Sequence, residues 1–114
     1  MAVSFEKIGD LCATFLGYTK VGDVVTITDN NEVTKAVADD AIAGIVIATD
    51  GDISTVQLKG FMKFTCADTV LDVGRQIIVA AGSNEVASGE IDEGGLPVLV
   101  VSSDSETNEI VALV

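Results

Sequence analysis

Carboxylates dominate the side chains in this chain that could do chemistry: eighteen Asp and Glu face six Lys and Arg, and His is absent. Asp50-Gly51-Asp52 and Asp29-Asn30-Asn31-Glu32 cluster the oxygen ligands that hard cations such as calcium take. Neither continues through the spaced ligands of an EF-hand loop to its bidentate Glu. Each is therefore expected to be a hairpin turn, with an adventitious or interface cation as the alternative. Asp39-Asp40 and Asp92-Glu93 read as solvated loop charges. Without His the usual triads, dyads and the commonest transition-metal ligand are gone. Cys12 and Cys66 are too far apart for a local Cys-x-x-Cys site. Gly82-Ser83-Asn84 and Gly94-Gly95 lack the Lys-Ser/Thr and the following helix of a phosphate cradle. A carboxylate pair is the catalytic arrangement left, and no motif supports it. The expectation is no enzyme, no cofactor and no metal.

The elements that would position such residues carry a net charge of −12, and no Lys or Arg follows Arg75. Nucleic acid is an unsuitable partner, because its affinity comes largely from basic side chains neutralising phosphates. An anionic membrane surface is disfavoured for the same reason. The acidity serves solubility, or attraction to a basic partner or to cations. Apolar residues make up 48% of the chain, aromatics only 4%. No apolar run approaches the roughly 20 residues that span a bilayer, so this hydrophobicity belongs in a core or an interface. Residues 1–10 contain Glu6 and Asp10 and no apolar signal-peptide core, so a cleaved leader is not expected.

The second half of the sequence resembles the first. Val21-Gly22-Asp23-Val24-Val25-Thr26-Ile27-Thr28 leads through Asp29-Asn30-Asn31 into Glu32-Val33-Thr34-Lys35-Ala36. Val73-Gly74-Arg75-Gln76-Ile77-Ile78-Val79-Ala80 leads through Ala81-Gly82-Ser83-Asn84 into Glu85-Val86-Ala87-Ser88. A further apolar strand follows in each, Gly44-Ile45-Val46-Ile47-Ala48 and Pro97-Val98-Leu99-Val100-Val101, then a polar turn and a last strand. Cys12 and Cys66 sit in similar local contexts and read as counterparts, as buried free thiols, with their pairing left open.

Strands are expected over 11–16, 24–28, 43–49, 53–59, 76–81, 96–103 and 108–114. The near-continuous apolar stretch 43–49 implies burial on both faces. Asp50-Gly51 marks a hairpin and Gly60 a bulge or bend. Residues 38–41 are the one stretch suited to a helical turn, and 88–95 reads as a loop. Short strands with turns every eight to twelve residues predict an all-β fold, a compact β-barrel or β-sandwich of short antiparallel strands with two pseudo-repeated meanders. The chain is read as one β domain, 1–114, with an N-terminal arm at 1–10 and repeat units at about 11–61 and 62–114. Val3, Phe5 and Ile8 are the candidate subunit or capsid interface, the alternative being a first strand of the domain's own core. The first half holds Lys20, Lys35 and Lys59, with Lys63 just beyond, and is where a partner is first sought.

Val21-Gly22-Asp23, the Asn-rich turn, Glu32-Val33-Thr34-Lys35-Ala36, Ala38-Asp39-Asp40-Ala41-Ile42-Ala43-Gly44-Ile45-Val46 and Val56-x-Leu58-x-Gly60 together form a pattern. It resembles the head decoration, or capsid cement, proteins of tailed bacteriophages, best over 21–74. The resemblance implies a non-enzymatic virion protein on the capsid exterior, made in the host cytoplasm and commonly a homotrimer. Its partner would be the major capsid protein, whose adjacent subunits it clamps. No family binding residue carries over. The runner-up is a ligand- or carbohydrate-binding β-module on a secreted or appendage protein. Against it stands the shortage of aromatic platforms, Tyr18 being the one Tyr in a chain without Trp.

Overall fold

The computed structural model describes residues 10–114. Ten strands form two closed five-stranded barrels in tandem, so the all-β expectation holds. The first barrel contains β1 (Leu11–Leu16), β2 (Val24–Asp29), β3 (Glu32–Lys35), β4 (Gly44–Asp50) and β5 (Ile53–Lys59). The second contains β6 (Phe61–Cys66), β7 (Gly74–Gly82), β8 (Glu85–Ser88), β9 (Leu96–Asp104) and β10 (Glu109–Leu113). Around the first the order is β1-β3-β2-β4-β5, and around the second β6-β8-β7-β9-β10. Closure removes the sheet edges that open meanders would expose.

The two barrels share one topology. β2–β3 and β7–β8 are hairpins, and the first strand of each unit returns to close the barrel. That strand lies parallel to the third (Leu16 opposite Glu32, Thr65 opposite Glu85) and antiparallel to the fifth. These parallel contacts refine the meander read from sequence. The register repeats closely: Ile27 faces Val33 and Ala80 faces Val86, so 53 added to each member of the first pair gives the second. Each hairpin carries a bulge at the same place, between Ile27 and Asp29 and between Ala80 and Gly82. Asn31 (φ 58°) and Asn84 (φ 62°) hold the matching left-handed turn positions, which Asn tolerates better than most residues.

The barrels differ in how they are filled. Val25, Val33, Val46 and Val56 form the interior of the first, helped by Phe15 and Leu58. A larger cluster fills the second, with Met62, Phe64, Ile78, Val86, Val98, Val100 and Ile110, and it extends into the first through Val24, Ala36 and Ile42. Val24, Ala36 and Ile42 of the first unit are buried in the second barrel's cluster rather than in their own interior. The first barrel is thus held partly by docking onto the second. The β5–β6 junction turns at Gly60 (φ 106°), whose backbone pairs with Val114. Buried Gln57 donates from Nε2 to the carbonyls of Lys59 and Phe61, stitching that junction.

Some local expectations change. β4 is buried only over its first half, and Ile47 and Ala48 face solvent. β2 pairs with β4 only at Ile45 and Gly44, and β4 bulges between Val46 and Ala48, so its far half is paired with β5 alone. Residues 38–41 form no helical turn; Asp39 is left-handed there (φ 72°), and a short 3-10 turn lies instead at Ile91–Glu93. The cysteines are free and occupy different positions, Cys12 exposed near the start of β1 and Cys66 buried at the end of β6. They are not counterparts. Among the described residues no helix is long and apolar enough to cross a membrane.

Candidate functional site

At one end of the first barrel the C-terminus of β1, the β2–β3 turn and the β4–β5 turn come together. Leu16 pairs with Glu32 on one side and Ile53 on the other, whereas Ile27 faces the core residue Val33 and opens beside Ala41, Ile42 and Ala43. Leu16, Ile27 and Ile53 are 46%, 51% and 43% exposed. A shallow groove of about 150 Å³ runs between Thr14, Phe15, Leu16, Asn31 and Ile53. Backbone bonds brace this end: Leu16 N–H donates to the Asn31 carbonyl (2.8 Å) and Gly17 N–H to that of Asp52 (2.7 Å). Behind it, buried Ser54 donates to the Gly17 carbonyl (2.8 Å) and shares a 2.6 Å bond with the Thr19 hydroxyl. The apolar patch is therefore set on a fixed backbone.

The repeat shows what is particular to this patch. In the second barrel the register puts Thr65 where the first has Leu16, Ala80 in place of Ile27, and Glu109 in place of Ile53. Packing of the barrel does not require these three apolar side chains, since the second barrel closes in the same way without them. Across the described residues eight large exposed apolar residues fall on the first barrel and its loops (Leu11, Leu16, Tyr18, Val21, Ile27, Val37, Ile47 and Ile53), against Val73, Ile91 and Leu113 on the second. Asp29, Glu32, Asp50 and Asp52 surround the patch from its two turns. The Asp50-Gly51-Asp52 and Asp29-Asn30-Asn31 segments are hairpin turns, with Asp29 Oδ1 accepting the Asn30 N–H.

The corresponding end of the second barrel is engaged within the chain. Asn84 reaches to the first barrel, donating from Nδ2 to Asp23 Oδ1 (3.0 Å) and accepting at Oδ1 from Val24 N–H (3.1 Å). Lys20 N–H occupies the other Asp23 oxygen (2.9 Å), so this buried carboxylate is ligated on both sides. Ala80 exchanges backbone bonds with the loop of the first barrel: Asp39 N–H donates to the Ala80 carbonyl (2.8 Å), and Ala80 N–H to that of Asp40 (3.1 Å). Ala80 is only 2% exposed as a result, whereas its counterpart Ile27 is half open to solvent.

Asp39, Glu90 and Glu93 line a cleft of about 380 Å³ near the junction. No group of three or more His, Cys, Asp or Glu among the described residues is arranged to hold a metal ion. At the β9–β10 turn, Glu106 N–H donates to Asp104 Oδ1 (2.9 Å) and holds that exposed carboxyl below the usual Asp range. Val3, Phe5 and Ile8, named from sequence as the candidate interface, lie outside the described residues. No family model matches the chain, and no curated protein and no solved structure is significantly similar to it. The sequence reading missed Leu16, Ile27 and Ile53. Their signal was present in the repeat, as apolar residues in one copy aligned with polar or small ones in the other.

Proposed function

We propose that this chain is a non-enzymatic structural protein of a tailed-phage virion, a head decoration or cement protein. It binds the outer surface of the assembled head and stabilises contacts between neighbouring major capsid subunits. The observation carrying this reading is the asymmetry between the barrel ends. Leu16 and Ile53 form an apolar patch where the same scaffold elsewhere carries Thr65 and Glu109. Burying the exposed half of each supplies about 1 kcal/mol, or about 2 kcal/mol for the patch. That is weaker than the roughly 4 kcal/mol of a millimolar contact. Such a patch becomes effective when several copies engage a repeating lattice, where effective concentration multiplies weak contacts. The net charge of −12 selects a basic or neutral receptor and keeps free copies apart from nucleic acid.

Residues 1–10, with Val3, Phe5 and Ile8, belong to the same proposed contact. Co-sedimentation with heads built from the major capsid protein of the proposed phage tests the reading. Leu16→Asp and Ile53→Asp should each lower binding at least tenfold while Thr65→Asp leaves it unchanged, and removing residues 1–9 should lower it without altering the β-sheet circular dichroism. Equal binding by Leu16→Asp and the wild type would remove the patch from the account.

A further inference from the structure

The junction between the two barrels is a docking geometry that the chain is equipped to form a second time. In the existing junction the β7–β8 hairpin, through Ala80 and Asn84, sits on Asp23, Val24 and the 38–40 loop of the first barrel. Both halves of that junction have a counterpart facing solvent. The hairpin's counterpart is β2–β3: Ile27 stands for Ala80 and Asn31 for Asn84, with the same bulge and the same left-handed turn. The receiving surface has its counterpart on the second barrel, where Gln76 and Ile77 stand for Asp23 and Val24. There Gly89 replaces Ala36, and Pro97 replaces Ile45. The match extends to the backbone, since Ala36 N–H donates to the Val24 carbonyl (2.8 Å) and Gly89 N–H to that of Ile77 (2.9 Å).

In the first barrel this surface is covered; in the second it is an open groove of about 430 Å³ lined by Arg75, Gln76, Ile77, Ser88, Gly89 and Pro97. We infer that the occupant of this groove is the β2–β3 hairpin of a second copy of the chain, joining copies head to tail by repeating the internal junction. Asn31 then donates to the Gln76 side-chain oxygen as Asn84 does to Asp23. The larger Ile27 enters where Ala80 enters internally, at the open mouth of this groove. The loop that clamps Ala80 differs: its counterpart winds into the Ile91–Glu93 turn and leaves Ile91 60% exposed two residues beyond Gly89, adding apolar area at the rim. A contact between unlike surfaces leaves one hairpin and one groove free at the ends, so it closes into a ring or runs on as a filament. The internal junction gains from covalent tethering; the one between copies lacks that advantage and forms at higher concentration. This inference stands apart from capsid binding, and its test contains no capsid.

Sedimentation equilibrium of the full chain up to about 1 mM, a concentration at which contacts of about 4 kcal/mol are populated, is the experiment. The wild type is expected to rise with concentration from 11.7 kDa to multiples of it. Ile27→Glu, which disables the hairpin, and Ile77→Glu, which disables the groove, should each stay at the single-chain mass. An equimolar mixture retains one good hairpin and one good groove and should form a two-chain species and nothing larger. Asn31→Gly, which suits the left-handed turn, and Ser88→Glu, at an exposed position, provide a second pair that preserves the fold. That pair should show the same loss singly and the same rescue when mixed. A wild type that stays at 11.7 kDa throughout would overturn the inference. So would single variants that assemble like the wild type, or mixtures of variants with native circular dichroism that stay monomeric.

Discussion

Replacing Asn84 with Gly removes the side chain that ties the barrels together while leaving its left-handed turn (φ 62°) to a residue that accepts it freely. The bond from Val24 N–H is worth about 1 kcal/mol and the one to the Asp23 carboxylate about 2 kcal/mol, the charged partner strengthening it. Losing both also leaves one oxygen of the buried Asp23 without its donor. Glycine adds some freedom to the unfolded chain, worth about 0.5–1 kcal/mol. Asn31→Gly measures that last contribution alone, because Asn31 has the same turn geometry (φ 58°) on an exposed hairpin. In urea denaturation Asn84→Gly should therefore lose about 2–3 kcal/mol more than Asn31→Gly, with a melting temperature lower by about 10 °C. The comparison is made at low protein concentration, where copies are dissociated. Equal losses in the two variants would refute the claim that the Asn84–Asp23 bridge holds the barrels together.

Gln57→Leu should destabilise the protein by about 2 kcal/mol in the same assay, since the Lys59 and Phe61 carbonyls lose their amide donor at the β5–β6 junction. A thiol reagent should label Cys12 in the native state and Cys66 only after unfolding, giving one fast and one protected thiol by mass spectrometry. The Asp104 carboxyl should titrate below the ordinary Asp value of about 3.9 when followed by NMR. Its folded-state pKa is depressed, so its contribution to the β9–β10 turn is present above the unfolded value and lost as pH falls through the folded one. Asp104→Asn should flatten that acid dependence.

The strands were legible because alternation, β-branched residues and Asp-Gly or Asn turns are local signals, and local signals survive in a single sequence. Duplication was legible for the same reason: Glu32-Val33 and Glu85-Val86 mark the same step in each unit. Which strands pair was not. Placing β1 between β3 and β5 depends on closing a barrel, a non-local event that no window of residues encodes. The half-exposed β4 escaped notice because Ile47 has the hydrophobicity of a core residue and only the short β2–β4 ladder reveals that β2 leaves it there. The patch of Leu16 and Ile53 is assembled from two strands, the residues 37 positions apart, and it emerges only when one barrel is laid on the other.

The most direct test of the central claim is saturation binding of the purified chain to phage heads assembled from the major capsid protein of the proposed phage, read by co-sedimentation and by the temperature at which heads rupture. The account expects saturable binding at a fixed ratio to capsid subunits, a higher rupture temperature, and loss of both with Leu16→Asp/Ile53→Asp. Heads that bind no chain at saturation, or that rupture at the same temperature with and without it, would contradict the account.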